Sequence, residues 1–146
     1  MKNSTTLIIS TLFIATFGFG QTTYVPDDNF EQALIDLGYD DVLDDYVLTA
    51  NISGVTILSV HNDSISDLTG IEDFTALTFL WCQGNQLTSL NVSANTAITE
   101  LQCHSNNLDS LDVSNNTELE KLRCDHNQFT MLDLSNNTLL ETLKCG

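Results

Sequence analysis

A repeat of 21 residues occupies most of the chain and constrains its fold more than any other feature. Segments starting at Leu77, Ile98 and Leu119 align without gaps, and a further unit begins at Leu140. A looser copy, one residue longer, begins at Val55. Repeats of about 20 to 50 residues are typical of solenoids, in which each unit buries its apolar face only against its neighbours. The sequence therefore predicts a stack of coils.

Each unit reads L-x-x-L-x-C-x-x-N-x-L, which matches the leucine-rich-repeat pattern with cysteine in the third apolar slot. The fourth and sixth residues alternate as the inward face of a short strand should. Parallel strands of successive coils lie about 4.8 Å apart, so equivalent residues stack into ladders. We expect residues 55–146 to form a mostly β leucine-rich-repeat solenoid, with parallel strands on the concave face and a turn-rich convex side.

Two ladders are predicted to be structural. Where a strand ends and the chain bends inward, a buried asparagine amide can satisfy backbone groups that have no strand partner. The cysteines fill a slot that other repeats give to leucine, which favours buried thiols, although the strand spacing also permits disulfides. The structural ladders are Asn85, Asn106 and Asn127, and Cys82, Cys103, Cys124 and Cys145. The convex turns are expected to carry a polar ladder of Asn95, Asn116 and Asn137.

Residues 1–20 have the pattern of a signal peptide. Lys2 precedes an apolar run from Leu7 to Phe19, and small residues stand at the end of this run, at Gly18 and Gly20. The run is shorter than the roughly 20 apolar residues that a membrane-spanning helix needs. We therefore expect a secreted, extracellular or cell-surface protein without membrane insertion.

Residues 21–54 are predicted to cap the first coil. Asp28 to Glu31 have the spacing of a capping box, and apolar residues at helical intervals precede Gly38, which predicts a short helix over 26–38. Tyr46 to Ile52 are expected to form an irregular coil. The Gly70 to Phe74 segment of the first repeat is expected to hold a short helical turn.

The chain is strongly acidic. Its formal net charge is −16, and loss of Lys2 with the leader makes it −17, because all twenty acidic residues lie downstream. Such a chain repels phosphate backbones, which excludes nucleic acid as a partner. The acidic cluster Asp40, Asp41, Asp44 and Asp45 could supply oxygen ligands to calcium, but it lacks the spacing of an EF-hand loop, and we expect a solvated loop.

The outward-facing strand residues are the candidate binding surface. All three cations downstream of residue 20 fall in this set, and so does the single tryptophan. An exposed Phe79–Trp81 pair beside Arg123 offers residue types that dominate binding hot spots. The alternative is that the cations only relieve repulsion while the aromatic rings pack on each other. The candidate ligand-binding residues are Phe79, Trp81, Gln83, Glu100, Gln102, His104, Lys121, Arg123, Asp125 and Lys144.

The histidines do not predict catalysis or metal binding. His104 and Asp125 occupy the same place in neighbouring coils, and His126 follows in sequence. Residues on a flat sheet face point in parallel, however, whereas a zinc site needs converging ligands. No nucleophile with a partner base and an orienting group can be identified. We expect a protein that is not an enzyme and needs neither metal nor cofactor.

The Pro-Asp-Asp-Asn-Phe-Glu-Gln-Ala-Leu cap and the tandem L-x-C-x-x-N-x-L units resemble secreted bacterial leucine-rich-repeat proteins of the internalin type, over essentially all of the chain after the leader. The resemblance implies a surface protein that binds host or neighbouring-cell proteins. Such proteins often continue into more repeats and a C-terminal type IX secretion sorting domain, both missing here. Because Gly146 lies inside a repeat without a cap, we expect a piece of a longer protein.

The predicted function is therefore recognition of a protein or peptide on the concave face, with a glycan ligand left open. One alternative is a structural module that self-associates edge to edge through its uncapped C-terminal end. Another is a targeting arm of a larger secreted protein or enzyme, with no ligand of its own.

Overall fold

A computed structural model describes residues 20–146, so the proposed signal peptide lies outside the described residues except for Gly20. The described part of the chain starts with a cap and continues into five repeat strands. No helix of the described region is long and apolar enough to cross a membrane. The elements are β1 (Thr22–Tyr24), α1 (Asp28–Asp36), β2 (Tyr46–Leu48), α2 (Thr49–Ile52), β3 (Ile57–Ser59), a 3₁₀ turn (Ile71–Asp73), β4 (Phe79–Trp81), β5 (Glu100–Gln102), β6 (Lys121–Arg123) and β7 (Thr142–Lys144).

The repeat strands form one parallel sheet in the order β3-β4-β5-β6-β7. The central leucines of neighbouring strands are register partners, as Leu80 with Leu101 and Leu101 with Leu122. These leucines point into the core, so the residues on either side point outward. Each strand is followed by turns instead of a long helix. The predicted leucine-rich-repeat solenoid is confirmed.

The cysteine ladder lies in the core for three of its four members. Cys82, Cys103 and Cys124 are fully buried, and all four cysteines are free thiols. Our placement of Cys145 in the core is wrong, because Cys145 is exposed. The reason is that β7 has a neighbouring strand on one side only within the described region, and all three of its residues are exposed.

The asparagine ladder closes the turn after each strand. Asn106 Nδ2 donates to the carbonyl of Cys103 in its own coil and to that of Cys82 in the preceding coil, both at 3.0 Å. Its Oδ1 accepts from Leu87 N–H at 3.1 Å. Asn85 and Asn127 repeat these contacts one coil away. Each amide therefore satisfies backbone groups of two successive coils, which the parallel strands alone leave unpaired.

A second asparagine ladder lies inside the convex side. Sequence reasoning placed Asn95, Asn116 and Asn137 in polar turns, but their side chains are almost completely buried. Asn116 Nδ2 donates to the carbonyls of Val92 and Asn95 at 3.1 and 2.9 Å. Like the first ladder, it joins each coil to the preceding one by hydrogen bonds to backbone carbonyls.

The N-terminal cap differs from its predicted form. β2 pairs antiparallel with β1, so the expected irregular coil over Tyr46 to Ile52 is wrong: these residues form β2 and α2. Helix α1 is shorter than predicted, and its N-cap is Asp27, whose carboxylate accepts from Asn29 N–H and Phe30 N–H. The predicted capping box is also wrong, because Glu31 does not reach back to the helix start. Its carboxylate accepts from the backbone of Asp44 and Tyr46 instead.

Asp27 also joins the cap to the first repeat. Its Oδ2 accepts from Ser66 N–H, the Ser66 hydroxyl and Asp67 N–H at 2.7–3.0 Å. Burial acts to raise the pKa of Asp27, but the hydrogen bonds from Ser66, Phe30 and Asp67 outweigh it and lower the pKa below 3.8. The ionised carboxylate therefore favours the folded state at neutral pH.

We predict that Asp27→Ala lowers the free energy of unfolding by roughly 2–3 kcal/mol at pH 7, because it removes a helix cap and leaves buried donors unpaired. Exposed Asp28→Ala is the matched control and changes stability by about 0.5 kcal/mol or less. Since the folded-state pKa is lowered, the contribution of Asp27 is present above pH 3.8 and is lost as the pH falls through the folded value. Chemical denaturation from pH 7 down to pH 2 measures both effects, and equal losses in the two variants contradict this role.

The eighth residue of each unit turns the chain with a left-handed backbone. Asn62, Gly84, Ser105 and His126 all have positive φ, between 57° and 72°. The N–H of this residue donates to the next coil, as from Ser105 to the Asp125 carbonyl at 3.0 Å. Glycine adopts this conformation without strain, whereas the Cβ atom of other residues makes it strained.

We predict that Ser105→Gly raises the free energy of unfolding by roughly 0.5–1 kcal/mol, because the relief of backbone strain exceeds the entropy cost of glycine. Ser89→Gly is the control, since Ser89 is exposed and does not have a positive φ. That control is expected to lose stability. Urea unfolding of both variants tests this, and a loss at Ser105 as large as at Ser89 would show that the turn is unstrained.

Candidate functional site: the concave strand face

Two rows of side chains stand on the concave face, one from the first and one from the third residue of each strand. Their alignment follows from the strand register. The first row is Ile57, Phe79, Glu100, Lys121 and Thr142, and the second row is Ser59, Trp81, Gln102, Arg123 and Lys144. The face is therefore aromatic at β4 and cationic at β6 and β7, with a carboxylate and an amide on the strand between.

The aromatic end is held in place by neighbouring side chains. The rings of Phe79 and Trp81 lie 6.4 Å apart between centroids at an angle of 47°, and both residues are half-buried. Trp81 Nε1 donates to Glu100 Oε1 at 2.9 Å. This hydrogen bond fixes the indole while leaving part of its surface accessible. The pair lies on one strand instead of packing across two.

Glu100 connects the aromatic end to the cations. Its Oε1 accepts from Trp81 and from Gln102 Nε2, and its Oε2 lies 3.7 Å from Lys121 Nζ. Burial acts to raise the pKa of Glu100, but the hydrogen bonds from Gln102 and Trp81 and the charge of Lys121 outweigh it and lower the pKa. The carboxylate is therefore ionised at neutral pH and orders three side chains around it.

Asp125 organises the cationic end. Arg123 Nε donates to its Oδ1 at 3.0 Å, and Lys144 Nζ lies 3.6 Å from its Oδ2. His126 Nδ1 lies 3.2 Å from the same Oδ2. Sequence reasoning placed Asp125 among the exposed ligand-binding residues, which is wrong, because only 2% of Asp125 is exposed. Its carboxylate lies under Arg123 and Lys144 and positions them, and it does not contact a ligand itself.

The expected proximity of Arg123 to the aromatic pair is also wrong. Gln102 stands between Trp81 and Arg123 in the second row, so two strand spacings, about 10 Å, separate their backbones. The aromatic and cationic ends are thus two neighbouring contact areas. Between β5 and β7 lies a groove of about 240 Å³, whose polar walls include Lys121, Arg123 and Lys144.

Gln83 and His104 occupy the row beyond the strand ends. Both are partly buried, and neither Gln83 Oε1 nor His104 Nδ1 has a hydrogen-bond partner. Burial and the charge of Arg123 lower the pKa of His104 below 6.5, although Asp125 opposes the shift. His104 is therefore neutral at pH 7. Within residues 20–146, no three or more His, Cys, Asp or Glu side chains are grouped so that they could hold a metal ion.

Directly beneath this face lie the cysteine thiols, which burial keeps protonated. Burial raises the pKa of Cys82 to about 12 and that of Cys124 to about 11, and it raises the pKa of Cys103 in the same direction. Thiolate is the reactive form of cysteine, so these three side chains act as apolar core residues.

No family model matches the chain. Internalin J of Listeria monocytogenes serotype 4b (strain F2365) is 41% identical over 84 residues, which are 55% of this chain and 9% of that protein. The solved functional domain of InlJ from Listeria monocytogenes, described as including a cysteine ladder, has 42% identity and a TM-score of 0.78. That match covers 87% of this chain and 29% of the InlJ chain.

An internalin of Listeria monocytogenes str. 4b F2365, inlF, has the same fold, with a TM-score of 0.72 at 22% identity over 82% of this chain and 43% of its own. The strand ladder and the stacked cysteines make this chain a leucine-rich-repeat solenoid that is similar to the internalins, InlJ among them. It spans less than a third of the solved InlJ chain and about a tenth of internalin J.

We predict that one thiol per native chain, Cys145, reacts with a thiol reagent such as dithionitrobenzoate at pH 8, because the other three are buried and protonated. All four react in denaturant without a reductant. The absorbance of the released chromophore gives both numbers. Two or fewer reactive thiols in denaturant would reveal disulfides between coils, and rapid reaction of all four in the native state would show that the ladder is not core.

Proposed function

We propose that this chain is a recognition module that binds a protein or peptide through its concave face. The observation that carries the proposal is the concentration of rare residues there. The single tryptophan and all three cations downstream of residue 20 stand on neighbouring strands of one face, in a chain with a net charge of −16.

The hydrogen-bond network supports the same proposal, because it prepares the surface before a ligand arrives. Glu100 orders Trp81 and Lys121, and Asp125 orders Arg123 and Lys144. Side chains that are already ordered lose less entropy on binding. Tryptophan and arginine supply most of the energy of typical interfaces. A complementary ligand presents an apolar knob to the aromatic end and acidic groups to the cationic end.

The proposal also includes the location of the protein and the choice of binding over catalysis. The leader pattern and the likeness to internalins support a secreted or cell-surface protein. Binding is favoured over catalysis, because the ordered polar groups of the face serve to position Trp81, Arg123 and the two lysines. A protein or peptide ligand is favoured over a glycan by the internalin likeness.

A second candidate function is edge-to-edge association of two copies. Within residues 20–146, β7 has a neighbouring strand on one side only, and its Leu143 is 45% exposed. An open strand edge can pair with the strand of another molecule. In that case the chain is a structural module, or an arm of a larger secreted protein, with no ligand of its own.

We predict that the Phe79→Ala, Trp81→Ala, Arg123→Ala triple variant loses capture of a cell-surface or host-extract protein that the unchanged chain retains. Loss of each anchor costs roughly 2 kcal/mol at an interface, so the triple variant falls below detection at micromolar concentrations. Affinity capture followed by mass spectrometry measures this. Retention should also weaken as salt rises, because the cationic end is screened.

The matched control is Thr96→Ala, Thr117→Ala, Glu118→Ala, which changes three exposed residues of the turns that precede the strands. It keeps the partner, and circular dichroism checks that both variants remain folded. Capture by the concave triple variant equal to that of the control contradicts the proposal. Concentration-dependent dimers together with the absence of any captured protein favour the structural alternative.

A further inference from the structure

The groove between β5 and β7 has all the lysine and arginine side chains of residues 20–146 in its walls. We call it the cationic groove. Its polar walls are Glu100, Gln102, Lys121, Arg123, Thr142 and Lys144. Its volume of about 240 Å³ is enough for one side chain of moderate size. What it can bind depends on how much of its positive charge is already neutralised from within.

The positive charge of the cationic groove exceeds the negative charge that the protein places beside it. Glu100 Oε2 lies 3.7 Å from Lys121 Nζ. Asp125 is shared by two cations, at 3.0 Å from Arg123 Nε and 3.6 Å from Lys144 Nζ. Three cations thus face two carboxylates, which leaves one net positive charge when the histidines are counted as neutral. The chain as a whole has a net charge of −16.

The cations are exposed, whereas their carboxylate partners lie beneath them. The side chains of Lys121, Arg123 and Lys144 are 55%, 42% and 59% exposed, but those of Glu100 and Asp125 are only 14% and 3% exposed. Burial acts to raise the pKa of Asp125, but the hydrogen bond and charge of Arg123 and the charge of Lys144 outweigh it and lower the pKa. A ligand therefore meets positive charge at the surface of the groove.

Arg123 also has hydrogen-bond donors to spare. Within residues 20–146, its side chain forms one hydrogen bond, through Nε to Asp125 Oδ1. The N–H groups of its terminal nitrogens, Nη1 and Nη2, are left over. Such a pair of parallel donors matches the two oxygens of a carboxylate. Lys144 is the register partner of Arg123 on β7 and adds a second positive charge beside these donors.

Two related anions fit the cationic groove less well. A phosphate monoester carries a charge of about −1.5 to −2 at pH 7, which exceeds the net charge of the groove and is repelled by Glu100 and Asp125. A C-terminal carboxylate is typically held by free backbone N–H groups. Here the N–H groups of Lys121 and Thr142 already donate to carbonyls of the preceding coil. The donors of the groove are those of its side chains.

We propose that the cationic groove binds one aspartate or glutamate side chain of a partner polypeptide. Its carboxylate accepts from both terminal nitrogens of Arg123, while Lys121 and Lys144 supply positive potential on either side. This inference rests on the proposed function, because it names the group that the concave face recognises at its cationic end. The aromatic end contacts another part of the same partner.

The test is a nuclear magnetic resonance titration of the full chain at pH 7 and low salt with acetyl-Gly-Glu-Gly-amide. We expect the Nε–H signal of Arg123 and the amide signal of Lys144 to shift, with a dissociation constant of roughly 10 mM for a single half-exposed ion pair. The glutamine peptide has the same shape without the charge and leaves these signals unchanged. A phosphoserine peptide and acetyl-triglycine with a free C-terminus bind at least about threefold more weakly.

Substitutions of Arg123 separate its shape from its charge. Arg123→Gln is expected to weaken binding of the glutamate peptide about tenfold. Arg123→Lys keeps a charge over Asp125 but lacks the paired donors, so binding weakens about threefold, and this variant remains informative if Arg123→Gln does not fold. Thr96→Glu is the matched control, because it lowers the net charge of the chain by the same amount at an exposed turn. It leaves binding unchanged.

Phe79→Ala, Trp81→Ala distinguishes this inference from the proposed function. The double variant keeps its affinity for the glutamate peptide but loses the captured protein. Peptide binding without any captured protein supports the carboxylate site and contradicts only the recognition of a protein. Absence of shifts with the glutamate peptide, while capture persists, overturns the carboxylate site and leaves the proposed function standing.

Three further results would overturn the carboxylate site. One is an equal response to the glutamine peptide. Another is a phosphoserine peptide or a free C-terminus that binds as tightly as glutamate. The last is an Arg123→Lys variant with undiminished affinity, which would show that the groove attracts negative charge without recognising a carboxylate.

Discussion

The hydrogen bonds of the strand-end asparagines are the interaction on which the rest of this structure depends. A coil of 21 residues cannot pair all the backbone N–H and C=O groups of its own turn. The reason is that a three-residue strand forms hydrogen bonds with only a few backbone groups. The amide of Asn106 binds two carbonyls and one N–H that belong to two different coils. Asn85 and Asn127 repeat the arrangement, and Asn116 provides its counterpart on the convex side. The stacking of coils is therefore a property of these side chains as much as of apolar burial.

The residues that hold the coils together are different from the residues on the concave surface, and this separation determines where a binding surface can evolve. The ladders constrain the identity of the inward-facing residues, because a buried leucine, cysteine or asparagine has few replacements that fit. The outward strand residues are free to vary, because strand backbone and register hold their position whatever they are. The concave face uses that freedom to place Trp81 and Arg123 on strands of a fixed spacing, ordered by Glu100 and Asp125. Because the rest of the chain is acidic, the concave face is where the lysine and arginine side chains can contact a ligand.

Much of this architecture was predictable from the repeat period alone. The period indicated which residues share a strand, which point inward and which stand side by side. It could not indicate that Asp125 is buried, because that depends on how the long side chains of Arg123 and Lys144 fold over it. It assigned Asn116 to a polar ladder of the convex turns but did not indicate that its amide is buried, since a turn asparagine and a buried amide have the same spacing. Outside the repeats, Asp27 was missed as a cap because its contact with Ser66 joins residues far apart in sequence.

The most direct test of this account compares the stability of Asn106→Ala with that of Asn107→Ala. The two residues are neighbours, but Asn106 is buried in the ladder while Asn107 is exposed. The account predicts that Asn106→Ala loses roughly 3 kcal/mol or more of unfolding free energy in urea, because several buried backbone groups lose their partners. Asn107→Ala is expected to change it by about 0.5 kcal/mol or less. Equal and small losses would contradict the account and would leave apolar stacking alone as the force that holds the coils.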